Sequence, residues 1–275
     1  IFLDSLSAKM NLNAKIKVLR ILTQGYIHWG YVDFDLDKFL AANRFEKWRF
    51  GVGIHSSEDV SKVFKIGGYT AYGTLDKTWK YGGDLQFFIH RKTQTLLEIN
   101  YKKDVEECAA QTTFNVQKFY SNDAYRLFLV EKMNYVEDIR LRIKTRSLKY
   151  LKWETGFNYG LKQILDNSYF LENVANVSIH RSSFYSAEAM IGFRWAYKEK
   201  IIRNPFFEIS QGTNYPILQL RYTKGFGNVL LSEFDYNRID FQVEKKFITN
   251  YFGKTSLVIR CGYIDKVLPW FMLYN

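Results

Sequence analysis

Apolar and polar residues alternate along much of this chain with a period of two. In the stretch 79–90, Trp79, Tyr81, Leu85, Phe87 and Ile89 share one face, while Lys80, Asp84, Gln86 and His90 share the other. That is the pattern of a strand with two unlike faces. Ile139, Leu141 and Ile143 likewise oppose Arg140, Arg142, Lys144 and Arg146, and Leu151, Trp153, Phe157, Tyr159 and Leu161 oppose Lys152, Glu154, Asn158 and Lys162. Downstream, Ala189, Ile191, Phe193, Trp195 and Tyr197 oppose Met190, Gly192, Arg194, Ala196 and Lys198. The runs 218–223, 239–246 and 256–263 repeat the alternation. With weaker candidates near 12–22, 26–35, 46–56, 62–73 and 95–103, the pattern predicts roughly twelve strands of about 9–14 residues.

Helix is a minor component, expected only around Leu36 to Asn43. An irregular insertion is expected from Asp104 to Asn134, with Leu127-Phe128-Leu129-Val130 as a strand inside it, and long connections from Leu165 to Ser183 and from Lys200 to Tyr215. Long and short connections are expected to alternate, as in a barrel with extended loops at one end and tight turns at the other. No Pro/Ser-rich linker or repeat divides the chain, so residues 1–275 read as one all-β domain.

Composition narrows the class. With 23 Phe, 20 Tyr and 6 Trp, disorder is excluded. No apolar run reaches the roughly 18 residues of a membrane-spanning helix. Alternation alone does not say whether the apolar face meets a protein core or lipid, and a large soluble sandwich or propeller stays open. Three features favour lipid. The strands match the about 9–11 residues that cross a bilayer on a tilt. Roughly twelve strands enclose an interior too wide for side chains to fill, and a wet lumen suits the charged faces. Aromatic residues, among them Trp48, Trp79, Trp153, Trp195, Tyr101, Tyr159, Tyr197 and Tyr263, recur near the ends of apolar faces, as interfacial girdles do.

The net charge is +11. Its most distinctive concentration is Arg140, Arg142, Lys144, Arg146 and Lys152, read as a basic lumen row with acidic partners Glu154, Asp84, Asp240 and Glu244 on other strands. The sharper reading of that row is an anion-attracting wall or a site for lipid phosphates. Ile191, Phe193, Trp195 and Tyr197 are the expected lipid-facing set: changing Phe193 or Ile191 to Arg would be costly, Arg194→Gln mild. Nucleic acid is not an expected partner, because the aromatics lie opposite the basic residues and a stacking groove needs both together.

No catalytic, cofactor or metal site is expected. His28, His55, His90 and His180 have no metal-ligand spacing and read as lumen or loop residues, and Glu106, Glu107 and Cys108 read as a solvated turn. Gly225-Phe226-Gly227 lacks a dinucleotide-loop context and reads as the start of a strand or a bulge. Cys261 reads as a small hydrophobe on a lipid face, unpaired with Cys108. Asn176-Val177-Ser178 matches a glycosylation sequon.

The stretch Asn43-Arg44-Phe45-Glu46-Lys47-Trp48-Arg49-Phe50-Gly51-Val52-Gly53, then the run 67–83 (Gly-Gly-Tyr-Thr-Ala-Tyr-Gly-Thr-Leu-Asp-Lys-Thr-Trp-Lys-Tyr-Gly-Gly), resembles a known family. It is similar to the outer-membrane barrel region, itself of unknown function, of Bacteroidota carboxypeptidase-regulatory-like-domain-containing proteins. Residues 222–228, 234–238 and the closing Gly262-Tyr263 through Leu268-Pro269 extend the match. The resemblance implies a non-enzymatic transmembrane β-barrel of the bacterial outer membrane, in contact with outer-membrane lipid and lipopolysaccharide and with other envelope proteins. It also implies that an N-terminal periplasmic domain and further C-terminal strands belong to the whole protein. A distant likeness of that barrel to outer-membrane assembly factors makes an accessory, assembly or export role the leading expectation. The alternatives are a transport pore or receptor with a basic-lined lumen, and a soluble β-rich binding protein.

Overall fold

The computed structural model describes residues 25–57, 59–107, 133–164, 170–174, 177–203, 208–249 and 253–274. The chain opens with β1 (Tyr26–Trp29), β2 (Val32–Asp35), a single helical turn α1 (Leu36–Phe39), β3 (Leu40–Asn43), β4 (Lys47–Ser56), β5 (Phe64–Gly73), β6 (Trp79–His90) and β7 (Thr95–Glu107). It continues through β8 (Met133–Leu148), β9 (Leu151–Ile164), β10 (Phe170–Val174), β11 (Val177–Arg181) and β12 (Ser183–Ala196). The last elements are β13 (Lys200–Arg203), β14 (Glu208–Gly212), β15 (Ile217–Gly225), β16 (Tyr236–Thr249), β17 (Gly253–Ile264) and a 3₁₀ turn at Trp270–Met272.

Thirteen strands form one antiparallel sheet in the order β1-β2-β4-β5-β6-β7-β8-β9-β12-β15-β16-β17, with β3 paired to β4. Sequence neighbours are sheet neighbours except at β2–β3, which both pair with β4, and where β10–β11 and β13–β14 leave the sheet as separate hairpins. β2 and β3 lie end to end along β4, and α1 interrupts them opposite Gly51, where an added Cβ would sit 2.8 Å from the Lys38 carbonyl oxygen. Among the described residues β1 and β17 end the strand order without pairing to each other, so these strands do not form a closed barrel.

Among the described residues no second layer covers the apolar face of the sheet. Trp48, Phe50, Val52 and Ile54 alternate as exposed residues on β4, Trp79, Tyr81, Phe87 and Ile89 on β6, Ile191, Phe193 and Trp195 on β12, and Leu257, Ile259 and Tyr263 on β17. The opposite face is withdrawn from solvent although it is polar: Lys80, Gln242, Glu46 and Ser57 are among the largest fully buried side chains. This reverses the usual placement of residue types.

The polar face is the concave one. Arg49 on β4 reaches Asp104 on β7 across β5 and β6, 2.6 Å between Nη1 and Oδ1. In a flat sheet those strands stand about 14 Å apart; curling toward the polar face brings the two groups together. At one end of this concavity Ile164, Phe184 and Phe271 are buried together, packed against Phe234 and Met272. The residues after β17 thus fold back over the inner face, and Tyr274 donates to Asp240 Oδ1 at 2.6 Å.

Several expectations need correction. The run 26–35 is a hairpin, β1 and β2, because Gly30 with φ +62° turns the chain inside an otherwise alternating stretch. The helix expected over 36–43 is one turn, and Leu40–Asn43 pairs with β4 instead. β7 runs on to Glu107 and β8 begins at Met133, so both ends of the expected 104–134 insertion are strand and Glu106 and Glu107 belong to β7. Long connections do not keep to one end: the 197–216 segment lies beside the two-residue turn between β8 and β9. Gly225 ends β15, where Tyr236 lies across it. The strand candidates at 12–22 and 127–130, Cys108, and Asn176 of the sequon lie outside the described residues.

Candidate functional site

The candidate site is the concave polar face, and its most buried part lies beneath the β3–β4 and β5–β6 turns. Asn43 and Glu46 close the first turn through Asn43 Nδ2 donating to Glu46 Oε2 and the Glu46 amide donating to Asn43 Oδ1, both at 2.6 Å. Glu46, 0% exposed, is thereby aimed inward at Lys80, 1% exposed, with 2.6 Å between Nζ and Oε1. Lys80 also binds Asp76 of the second turn. Burial by itself raises the Asp76 carboxyl, but hydrogen bonds from Lys80, Thr78 and Tyr135 outweigh it and hold the group below the usual range. Next to this pair Arg49 grips Asp104 with both Nη atoms, at 2.6 and 2.8 Å, and the Tyr69 hydroxyl donates to the same carboxylate at 2.5 Å. Two-point pairing of this kind fixes geometry as well as charge.

Farther along β4, the His55 ring lies between two carboxylates, Nδ1 2.7 Å from Asp35 on β2 and Nε2 2.8 Å from Asp84 on β6. The ring occupies the space over Gly67, where a Cβ would come within 2.0 Å of its Cδ2. Gly82 in the same way leaves room for the Tyr69 ring, 2.7 Å from an added Cβ. Inward-facing glycines in these strands are therefore places where long polar side chains of neighbouring strands lie flat against the sheet. His28 contacts Asp33 at 2.8 Å and His90 contacts Thr93 at 2.7 Å. Among the described residues no cluster of His, Cys, Asp and Glu is arranged to hold a metal ion.

The basic row lies on the concave side of β8, but its partners differ from those the sequence indicated. Arg140 binds Glu106 at 2.6 Å and Asp138 of its own strand, and Lys144 binds Glu98 at 2.7 Å. Arg146 is buried and donates to the Lys149 carbonyl at 3.1 Å, with Lys152 opposite it on β9. The expected partners are engaged elsewhere: Glu154 with Arg221 at 2.7 Å, Asp84 with His55, Asp240 with Arg238, Glu244 with Lys246. Which carboxylate meets which cation depends on strand order and register, and neither is written in a single strand.

Arg194 also differs from expectation. It grips Glu199 through both Nη atoms at 2.9 and 2.6 Å, and Ser210 donates to the same carboxylate at 2.6 Å. Burial pushes Glu199 up, but the Arg194 and Ser210 hydrogen bonds dominate and bring it down to about 2. Arg194→Gln would leave the Glu199 carboxylate with Ser210 and the Lys152 charge alone, so the change is expected to cost more than the sequence indicated. On the convex side Ile191, Phe193 and Trp195 are exposed; Tyr197 lies in the turn after β12, half-buried, its ring centroid 5.3 Å from Tyr150, 6.0 Å from Trp195 and 4.9 Å from Tyr215. Tyr159 and Tyr185 stack at 6.1 Å toward the other end. Tyr185 and Trp195 are separated by about 33 Å of strand, or about 25 Å of height at the tilt of a membrane barrel.

The model of the C-terminal domain of a family of unknown function, DUF5686, matches residues 34–264. The chain belongs to this family. No curated protein matches it. The DUF5686 C-terminal domain match runs from β2 through β17, so the continuous sheet and its concave polar face are the substance of the domain. Within that domain, Glu46, Arg49, Tyr69, Asp76 and Lys80 all fall in the two glycine- and aromatic-rich stretches that carry the resemblance, and the structure gathers them, with Asp104, into one buried network. Sequence reasoning did not single them out. The available signal was a charged residue in step with small ones, as Arg49 is with Gly51 and Gly53.

Proposed function

We propose that this domain is a wall of a non-enzymatic outer-membrane β-barrel, with the exposed apolar face in lipid and the polar face lining the interior. The observation that carries the reading is the reversal of faces: aromatic and aliphatic side chains outward on strand after strand, Lys80, Glu46 and Gln242 sealed inward. Two aromatic zones at the heights of Tyr185 and Trp195 support it, since lipid headgroups favour rings with an apolar body and a polar tip. No helix of the described residues is long and apolar enough to cross a membrane, so crossing would fall to the strands. Closure of the barrel is part of the proposal and calls for pairing beyond the described strands.

The inward charges bind one another from strand to strand, which suits a rigid scaffold more than a catalytic cleft. We therefore read the domain as an accessory, assembly or export component of a Bacteroidota-type envelope, touching outer-membrane lipid, lipopolysaccharide and other envelope proteins. The assembly role rests on family analogy. The test is heat-modifiable migration of the full-length protein extracted from membranes, beside a sample prepared without detergent. A detergent-requiring band that shifts on boiling supports the reading. A soluble monomer without detergent overturns it.

A further inference from the structure

Among the described residues around the middle of β8, the ion-pair network leaves one cation over. Around the middle of β8 stand Lys102, Arg140, Arg142, Lys144 and Arg221 with the carboxylates Glu98, Glu106, Asp138 and Glu154. Each of the four carboxylates is bound to Lys102, Arg140, Lys144 or Arg221. Arg142 has no ion pair or hydrogen bond among the described residues, and its buried Nε has no partner. Its charged surroundings are Arg140, Glu154, Arg221 and Glu98, two cations and two carboxylates already engaged. A guanidinium with a buried, unmatched N–H is costly in a folded structure unless something accepts from it.

A second unmatched atom lies next to it. Asn158 Oδ1 is buried without a hydrogen-bond donor. Asn158 pairs with Arg140 across the β8–β9 ladder, and Gly156, one inward position along, pairs with Arg142. Arg142 and Asn158 are thus diagonal neighbours, about 7–8 Å apart at the strand, and the residue beside Arg142 has no side chain of its own. One atom needs an acceptor with negative charge, and the other needs a donor. A hydrogen phosphate group offers both, through P–O⁻ and P–OH, whereas a carboxylate or sulfate ion offers only acceptors.

We infer that Arg142, with Asn158, forms a binding site for a phosphate-type oxyanion on the concave face of this sheet. The inference rests on the reading of that face as a wet interior. Arg142 lies on β8 beside Leu141, which points to the apolar side between Ile139 and Ile143, so the site is reached from the interior.

The test is equilibrium dialysis of radiolabelled inorganic phosphate against the full-length protein in micelles at neutral pH and low salt, with heat-modifiable migration checked on every sample. The expected result is one saturable phosphate per chain, at least tenfold weaker in Arg142→Gln, weakened also in Asn158→Leu, and partly retained in Arg142→Lys. Competition by phosphatidic acid in the micelle, a phosphomonoester that keeps a P–OH near neutral pH, would assign the phosphate to a lipid headgroup; insensitivity to it would assign a free solute. Equal binding by wild type and Arg142→Gln, or no binding by a heat-shifting wild type, overturns the site and leaves the barrel reading intact. Loss of heat shift in the wild type overturns the barrel reading instead, whatever the phosphate result.

Discussion

Lys80 Nζ and Glu46 Oε1 meet at 2.6 Å with both side chains withdrawn from solvent, which ties the β3–β4 turn to the first residues of β6. Burying two charges costs several kcal/mol each in desolvation, and mutual attraction offsets that only while both partners are present. Lys80→Met leaves Glu46 and Asp76 facing each other with only Arg49, 3.7 Å from Glu46 Oε2 and already bound to Asp104, as a nearby cation. The expected loss is about 3–5 kcal/mol, read as a lower temperature for the heat shift. Glu46→Gln, which leaves Lys80 bound to Asp76, should cost clearly less. The reverse order would contradict the network described for this end of the sheet.

Ile191 on the convex face can tell a lipid environment from water. An exposed isoleucine of a soluble protein can become arginine within about 0.5 kcal/mol. Facing the bilayer midplane, the same change costs about 2–4 kcal/mol. Ile191→Arg measured by urea unfolding in vesicles should fall in the second range, and a value near zero would place this face in water.

Strand existence was legible in the sequence because a half-buried strand writes its two environments at alternate positions, whichever side is wet. β6, β9, β12 and β16 are examples. The β1–β2 hairpin was not, since a glycine turn can hide inside a period-two run, and neither were β10–β11 and β13–β14, whose short strands leave the main sheet. The basic row on β8 was legible as a row, while its pairing with Glu98 and Glu106 was not. Those carboxylates are about 35–45 residues away in sequence and become neighbours only once β7 and β8 are in register.

The Arg194–Glu199 clamp makes a pH dependence. Glu199 ordinarily titrates near 4.5 and is held at about 2 in the folded chain. A depressed carboxyl contributes stability that is full above 4.5 and is lost as pH falls toward 2. Wild type should therefore lose resistance to unfolding across that window more steeply than Glu199→Gln. Parallel curves would show that the clamp does not contribute.

The segment after β17 rests on a glycine. An added Cβ at Gly262 would come within 2.2 Å of the Tyr274 ring, which also lies 4.5 Å from the Arg238 guanidinium. Gly262→Val should dislodge Tyr274 and free the segment 265–274 for proteolysis, detected by mass spectrometry of clipped chains. Unchanged protection would mean that Tyr274 is held by other contacts.

The central claim is that the apolar face is covered by lipid, and Cys261 offers a direct probe of it. Cys261 is exposed on that face of β17, opposite Phe241 of β16. With Cys108 changed to Ser, a nitroxide on Cys261 of the full-length protein in vesicles can be tested for collisions with molecular oxygen and with a water-soluble nickel complex. The account predicts high oxygen and low nickel accessibility. High nickel accessibility would contradict it.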